Sequence, residues 1–157
     1  MKTLISSALL LSSLFIATPS LACDDHKLEV SGSYVREMPP ASKNTAAYMQ
    51  LKNTTDKPLK LLEVQSDIAK KIELHNIVNV DGVLKMQPQP YIEIAANDTL
   101  TLKPGGYHVM IMGVKKQLKQ GEDVKMTLKF EGGMTKDLTA PVKSIVPKSA
   151  KAGHSGT

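Results

Sequence analysis

The chain has 157 residues, one cysteine, no tryptophan, six Phe and Tyr residues together and a formal charge of +5. A single cysteine excludes an internal disulfide framework. Few aromatic rings and no Lys/Arg-dense segment exclude a nucleic-acid surface built on base stacking and phosphate contacts.

Lys2 is followed by an apolar run from Leu4 to Ala17 and then by Thr18-Pro19-Ser20-Leu21-Ala22. A positive start, a short apolar core and small residues before a cut define a secretory signal over residues 1–22. The run is too short to span a membrane and no later stretch is long enough, so no transmembrane segment is expected. The expected location is outside the cytoplasm, across the membrane that the signal crosses. Removing the signal leaves 135 residues from Cys23 to Thr157, enough for one domain with its own core. Residues 23–146 are assigned to that domain, and the small, basic stretch 147–157 to a flexible tail. Cys23 lies where a lipid anchor would attach, but Ser20 stands where lipoprotein signals usually carry Leu, so secretion without lipid is preferred. A monomer is expected.

Beyond the signal, Leu28 to Arg36 alternates and reads as a first strand, ended by Met38-Pro39-Pro40. Asn44 to Lys52 is a second, followed by the turn Asn53-Thr54-Thr55-Asp56, and Pro58 to Gln65 a third. Lys70 to Val78 is a fourth, with Ile72 and Leu74 toward the core, so that Lys71, Glu73 and His75 face out. His75 is accordingly expected to be exposed at a strand end. After Asp81-Gly82 come short strands over Val83 to Met86, Tyr91 to Ile94 and Asp98 to Leu102. Met86 is expected at a rim, beside Pro88 and Pro90. The next strand, 107–112, is bracketed by Gly105-Gly106 and Gly113; Tyr107, Val109 and Ile111 point one way, and His108, Met110 and Met112 the other. Val124 to Phe130 and Lys136 to Val142 complete the series. Many short strands separated by turn signals specify an all-β sandwich or barrel.

Two histidines and two methionines stand out. His75 is followed after ten residues by Met86, and Met86 after twenty-one residues by His108-Val109-Met110. Each residue has an ordinary structural reading, since Met fills cores and isolated surface histidines are common. Together, imidazole and thioether donors suit Cu(I), a soft ion without d-electron geometric demands. The set is neutral, holds Cu(I) without the grip of a thiolate, and offers no thiol to lose to a disulfide in an oxidising compartment. Met38, Met49, Met126 and Met134 are read as core or rim.

This spacing resembles the signature of the periplasmic copper chaperones called the PCuAC family: His, sometimes Met next, ten residues, Met, twenty-one residues, His-x-Met. Asn76 occupies the optional Met position. The resemblance runs from about Leu28 to Val142 and includes Pro104-Gly-Gly-Tyr-His-Val-Met-Ile-Met-Gly113 and Leu118-Lys-Gln-Gly-Glu-Asp-Val124. It implies a cupredoxin-like Greek-key β-sandwich and a Cu(I) site formed by His75, Met86, His108 and Met110. It also implies delivery to the copper site of cytochrome c oxidase, directly or through a Sco-type thiol protein.

A second, weaker Cu(II) site is expected at the termini, around His26 or His154. Lys115, Lys116 and Lys119 form either a basic rim for an acidic partner or an ordinary solvated loop. A blue-copper electron carrier needs a Cys thiolate beside its histidines, and Cys23 precedes the first strand. No Ser-His-Asp elbow, HExxH or paired carboxylates suggest an enzyme. A copper store and a sandwich without a metal role are the remaining alternatives.

Overall fold

The structure is a computed structural model and describes residues 27–144. The signal, Cys23, His26 and the 147–157 tail with His154 lie outside the described residues. Ten strands were expected, and the described residues form ten: β1 (Leu28–Arg36), β2 (Asn44–Asn53), β3 (Leu59–Gln65), β4 (Lys71–Val80), β5 (Val83–Pro88), β6 (Ile92–Ile94), β7 (Thr99–Leu102), β8 (His108–Met112), β9 (Asp123–Phe130) and β10 (Thr135–Lys143). Their order is β5-β4-β8-β2-β1-β10-β9-β3-β6, with β7 also on β2. β1 and β10 are parallel and share only the pairs Val35↔Val142 and Arg36↔Lys143. At this narrow seam the strands turn from one layer into the other, and the inner faces meet in a single core. Leu51, Leu74, Val109 and Ile111 from one layer share that core with Leu61, Leu128 and Phe130 from the other. Burial of each such side chain stabilises the fold by about 1.5–3 kcal/mol.

The alternation in β9 is carried through: Val124, Met126, Leu128 and Phe130 are all buried. Met38, Met49 and Met126 are core residues and Met134 packs against the core. β1 departs from simple alternation. Its register on β2 slips between Ser31 and Tyr34, and Gly32 has φ +60°. This bulge, on a residue free to adopt positive φ, reverses the phase of the strand. Leu28 before it and Val35 after it both point inward, which leaves Tyr34 and Arg36 on the outer face.

β7 and β8 both pair with the same side of β2, β7 with Met49–Lys52 and β8 with Asn44–Ala47. They are one strand path interrupted by residues 103–107. That excursion closes on itself, with the Lys103 N–H donating to Tyr107 O and the Gly106 N–H to Lys103 O. Pro104 second, and Gly105 third with φ +82°, fit a type II turn. The turn stands over the outer face of β2 beside Tyr48, as its place in the cavity lining shows.

Candidate metal centre

The pairing of β4 with β8 sets His75 directly opposite His108, Glu73 opposite Met110 and Lys71 opposite Met112. The pairing of β4 with β5 sets Met86 opposite Ile77 and Pro88 opposite His75. Directly opposed side chains share a face, and so do residues two apart on a strand. His75, Met86, His108 and Met110 therefore all project from the outer face of one layer. The two imidazoles are closest, with ring centroids 5.8 Å apart. Met110 lies two residues along β8 on one side of this pair. Met86 lies one step the other way, diagonal to His75. His108, Met110 and Met86 line a common cavity of 360 Å³ with Ala46, Tyr48 and Arg36. Ala46 is opposite Met110 across β2 and β8, and its small side chain leaves that volume open.

Two expectations are corrected. His75 points outward, as its phase requires, but it is buried, at 9% exposure. Alternation tells which way a side chain points, not what flanks it. β4 is an interior strand, with Pro88 and His108 on either side of His75. Met86 is half-exposed, as a rim residue should be, yet it sits within β5 rather than at its end. β5 is an edge strand, so it tolerates Pro88 as its last residue.

Hydrogen bonds fix the two rings in opposite senses. Nε2 of His75 lies 2.9 Å from Glu73 Oε2, and Nδ1 of His108 lies 2.9 Å from Gly106 O. A carboxylate and a carbonyl oxygen can only accept, so each of these ring nitrogens carries the proton. The lone pairs left over are on Nδ1 of His75 and Nε2 of His108. Nδ1 of His75 is buried without a hydrogen-bond partner. Such an orphan costs on the order of 1–3 kcal/mol, which a metal bonded to that lone pair would offset. An unsatisfied imidazole lone pair on a face that also carries two thioethers thus fits a soft cation.

The rest of the site is close to neutral in its donors. Lys71 is 2.5 Å from the second oxygen of Glu73. Its hydrogen bond, followed by that of His75, holds the Glu73 carboxyl below the usual glutamate range. Burial, reinforced by Tyr34, pushes the Tyr48 phenol up, with Arg36 pulling the other way. Tyr48 therefore presents no phenolate to a metal at neutral pH. Its ring continues a row across the outer face, 5.1 Å from Tyr34 and 6.4 Å from His108 between centroids. Among the described residues no group of three or more His, Cys, Asp and Glu side chains converges. A larger cleft of 920 Å³ lies elsewhere, lined by Glu63, Asp67, Lys125 and Asp137 among others, and brings none of the four donors together.

Sequence reasoning did not single out Glu73, Tyr48 or Arg36. Glu73 was detectable, being two residues from His75 on the same strand face. Arg36 and Tyr48 arrive through long-range pairing of β1, β2 and β8, which no local pattern signals. Of the lysines after β8, Lys116 pairs with Glu122 at 2.9 Å and Lys115 donates to Asp67 O at 2.6 Å. None of Lys115, Lys116 and Lys119 lines the cavity; the cation that does is Arg36, the only arginine in the chain.

The strands form a cupredoxin-like β-sandwich with the fold of solved PCuAC domains. The chain belongs to the LpqE-like family, described as "Putative lipoprotein LpqE-like", which matches residues 28–142. It is 35% identical over 129 residues to "Putative lipoprotein Lxx21020" of Leifsonia xyli subsp. xyli, covering 82% of this chain and 75% of that one. Among solved structures, the Cu(I) form of DR1885 from Deinococcus radiodurans is 40% identical, with a TM-score of 0.62, over 73% of this chain and 77% of that one. The copper-bound PCuAC domain from PmoF2 aligns with a TM-score of 0.64 over 75% of this chain and 93% of that one. At 23% identity this last likeness bears on the fold alone. Among the described residues no helix is long and apolar enough to cross a membrane.

Proposed function

We propose that this protein is a periplasmic Cu(I) metallochaperone whose cargo is held by His75, Met86, His108 and Met110. The observation that carries the reading is the buried, unpartnered Nδ1 of His75 beside His108, on the face that also presents Met110 and Met86. Kinship with the Cu(I) form of DR1885 supports it.

The four donors are not equally placed. His75, His108 and Met110 sit on paired interior strands. Met86 is half-exposed on an edge strand, on the far side of the histidine pair from Met110. A flexible thioether side chain can swing over the cation and away again. Met86 is therefore the ligand that an incoming acceptor displaces. The displacing group is a thiolate, which binds Cu(I) more tightly than a thioether. Arg36 at the cavity rim favours an acceptor whose docking face is acidic.

The acceptor is the copper subunit of cytochrome c oxidase or a Sco-type thiol protein. Any Cu(II) is bound more weakly, at the termini around His26 or His154, because two thioethers are poor partners for the harder ion. Stopped-flow mixing of the Cu(I)-loaded protein with a soluble thiol acceptor domain tests the handover. Transfer faster than dissociation into buffer is expected. Transfer at the dissociation rate would mark a copper store instead.

A further inference from the structure

The structure points to Glu73 as the positioning residue of the centre: by holding the Nε2 proton of His75 it directs Cu(I) to Nδ1 of that ring. His108 binds through Nε2. This rests on the copper reading above and deepens it, because it names the donor atoms and the group that selects them.

Glu73 lies in β4. Lys71, Glu73 and His75 alternate, so all three project from one face of the strand. Glu73 bridges its two neighbours, with Lys71 Nζ 2.5 Å from one carboxylate oxygen and His75 Nε2 2.9 Å from the other. The ammonium contact orients the carboxylate, and the carboxylate fixes the imidazole. An oxygen that only accepts requires the proton on Nε2, which leaves Nδ1 as the donor atom. Nδ1 is also the one described buried side-chain nitrogen or oxygen without a hydrogen bond. A ring free to choose would turn a buried N–H or lone pair toward some partner; this ring is held with its lone pair unsatisfied.

His108 is fixed the other way. The type II turn at Lys103–Gly106 brings the Gly106 carbonyl to its Nδ1, so Nε2 is the atom left to bind. Nδ1 is adjacent to the stem of the imidazole and Nε2 is at its far side. A cation shared by the two rings therefore lies close to β4, with His108 reaching across to it. Carboxylate partners of metal-bound histidines act in this way by fixing tautomer and orientation, and removing one lowers metal affinity about 10–100-fold.

The test is long-range 1H–15N correlation of the histidine rings in 15N-labelled full-length mature protein at about pH 8, above the ordinary imidazole range. Without copper, His75 is expected as the Nε2–H tautomer and His108 as the Nδ1–H tautomer. Anaerobic Cu(I) is expected to shift Nδ1 of His75 and Nε2 of His108. Glu73→Ala should mix the His75 tautomers and weaken Cu(I) binding about 10–100-fold. Glu73→Gln, whose amide oxygen still accepts from Nε2–H, should keep both the tautomer and most of the affinity. An Nδ1–H tautomer at His75 in the copper-free protein would overturn the proposal. So would a Cu(I) shift at Nε2 of His75, or an unchanged tautomer in Glu73→Ala. If Cu(I) moved neither ring while His75 kept its Nε2–H tautomer, the copper reading itself would fall and the hold of Glu73 on the ring would stand.

Discussion

Replacing Met86 by Ala separates metal binding from folding. Full burial of a Met side chain is worth about 1.5–3 kcal/mol, but Met86 is 50% exposed and lies on an edge strand. Truncation should therefore cost the metal-free fold no more than about 1 kcal/mol, a fall in Tm of about 4 °C for a domain of this size. The effect on Cu(I) should be much larger. Losing an outer partner of a metal ligand costs about 10–100-fold, so losing a ligand should cost at least about 100-fold, or ~2.8 kcal/mol. Anaerobic competition against a chromophoric Cu(I) chelator measures the second quantity, and thermal unfolding of the metal-free protein the first. Leu84→Ala is the matched control. Leu84 is two residues away on the same face of β5 and 71% exposed, but it has no donor atom. Equal affinities for wild type and Met86→Ala would refute the four-ligand arrangement. An equal loss in Leu84→Ala would show that the strand, not the sulfur, is at issue.

Arg36→Glu should slow Cu(I) transfer to an acidic acceptor several-fold and flatten its salt dependence, since exposed charges are screened beyond about 8–10 Å; Cu(I) affinity should not move, and an unchanged stopped-flow rate would remove Arg36 from docking. Asn53→Ala should destabilise the domain by about 3 kcal/mol in chemical denaturation. The Asn53 amide is fully buried, donates to the Lys57, Ile94 and Ala95 carbonyls and accepts from Thr55. The Lys116 hydrogen bond, followed by the Lys119 N–H, holds the Glu122 carboxyl below the ordinary glutamate range. A depressed folded-state pKa means that this contact contributes stability above the unfolded glutamate value and loses it as pH falls through the folded one. Carboxyl NMR titration should show the low midpoint, and Lys116→Met should raise it; a midpoint that stays put would exclude the contact.

Period-two alternation located the strands because half-buried strands must alternate, and β9 is the clearest instance. It faltered where a second force acted. The bulge at Gly32 reverses β1, a change of register that appears only when β1 is paired with β2. β5 runs on to Pro88 because no further strand requires the missing N–H on its free edge. The same contrast holds for the site. Spacing along the chain picked out His75, Met86, His108 and Met110, and strand phase placed His75 outward and put His108 and Met110 on one face of their strand. Burial of His75 follows from its flanking strands, and the cavity under the 103–107 turn from the way β7 and β8 share β2. Both are products of long-range pairing. The Asn53 amide looked like a turn residue for the same reason: two of its acceptors, the carbonyls of Ile94 and Ala95, are more than forty residues away in sequence.

The most direct measurement is an anaerobic Cu(I) competition titration of the mature protein beside the variant carrying His75→Ala, Met86→Ala, His108→Ala and Met110→Ala together. One Cu(I) per chain is predicted for the natural sequence and none at the same chelator strength for the variant. A full equivalent retained by the variant, or none bound by the natural protein, would contradict the assignment of this face as the copper site.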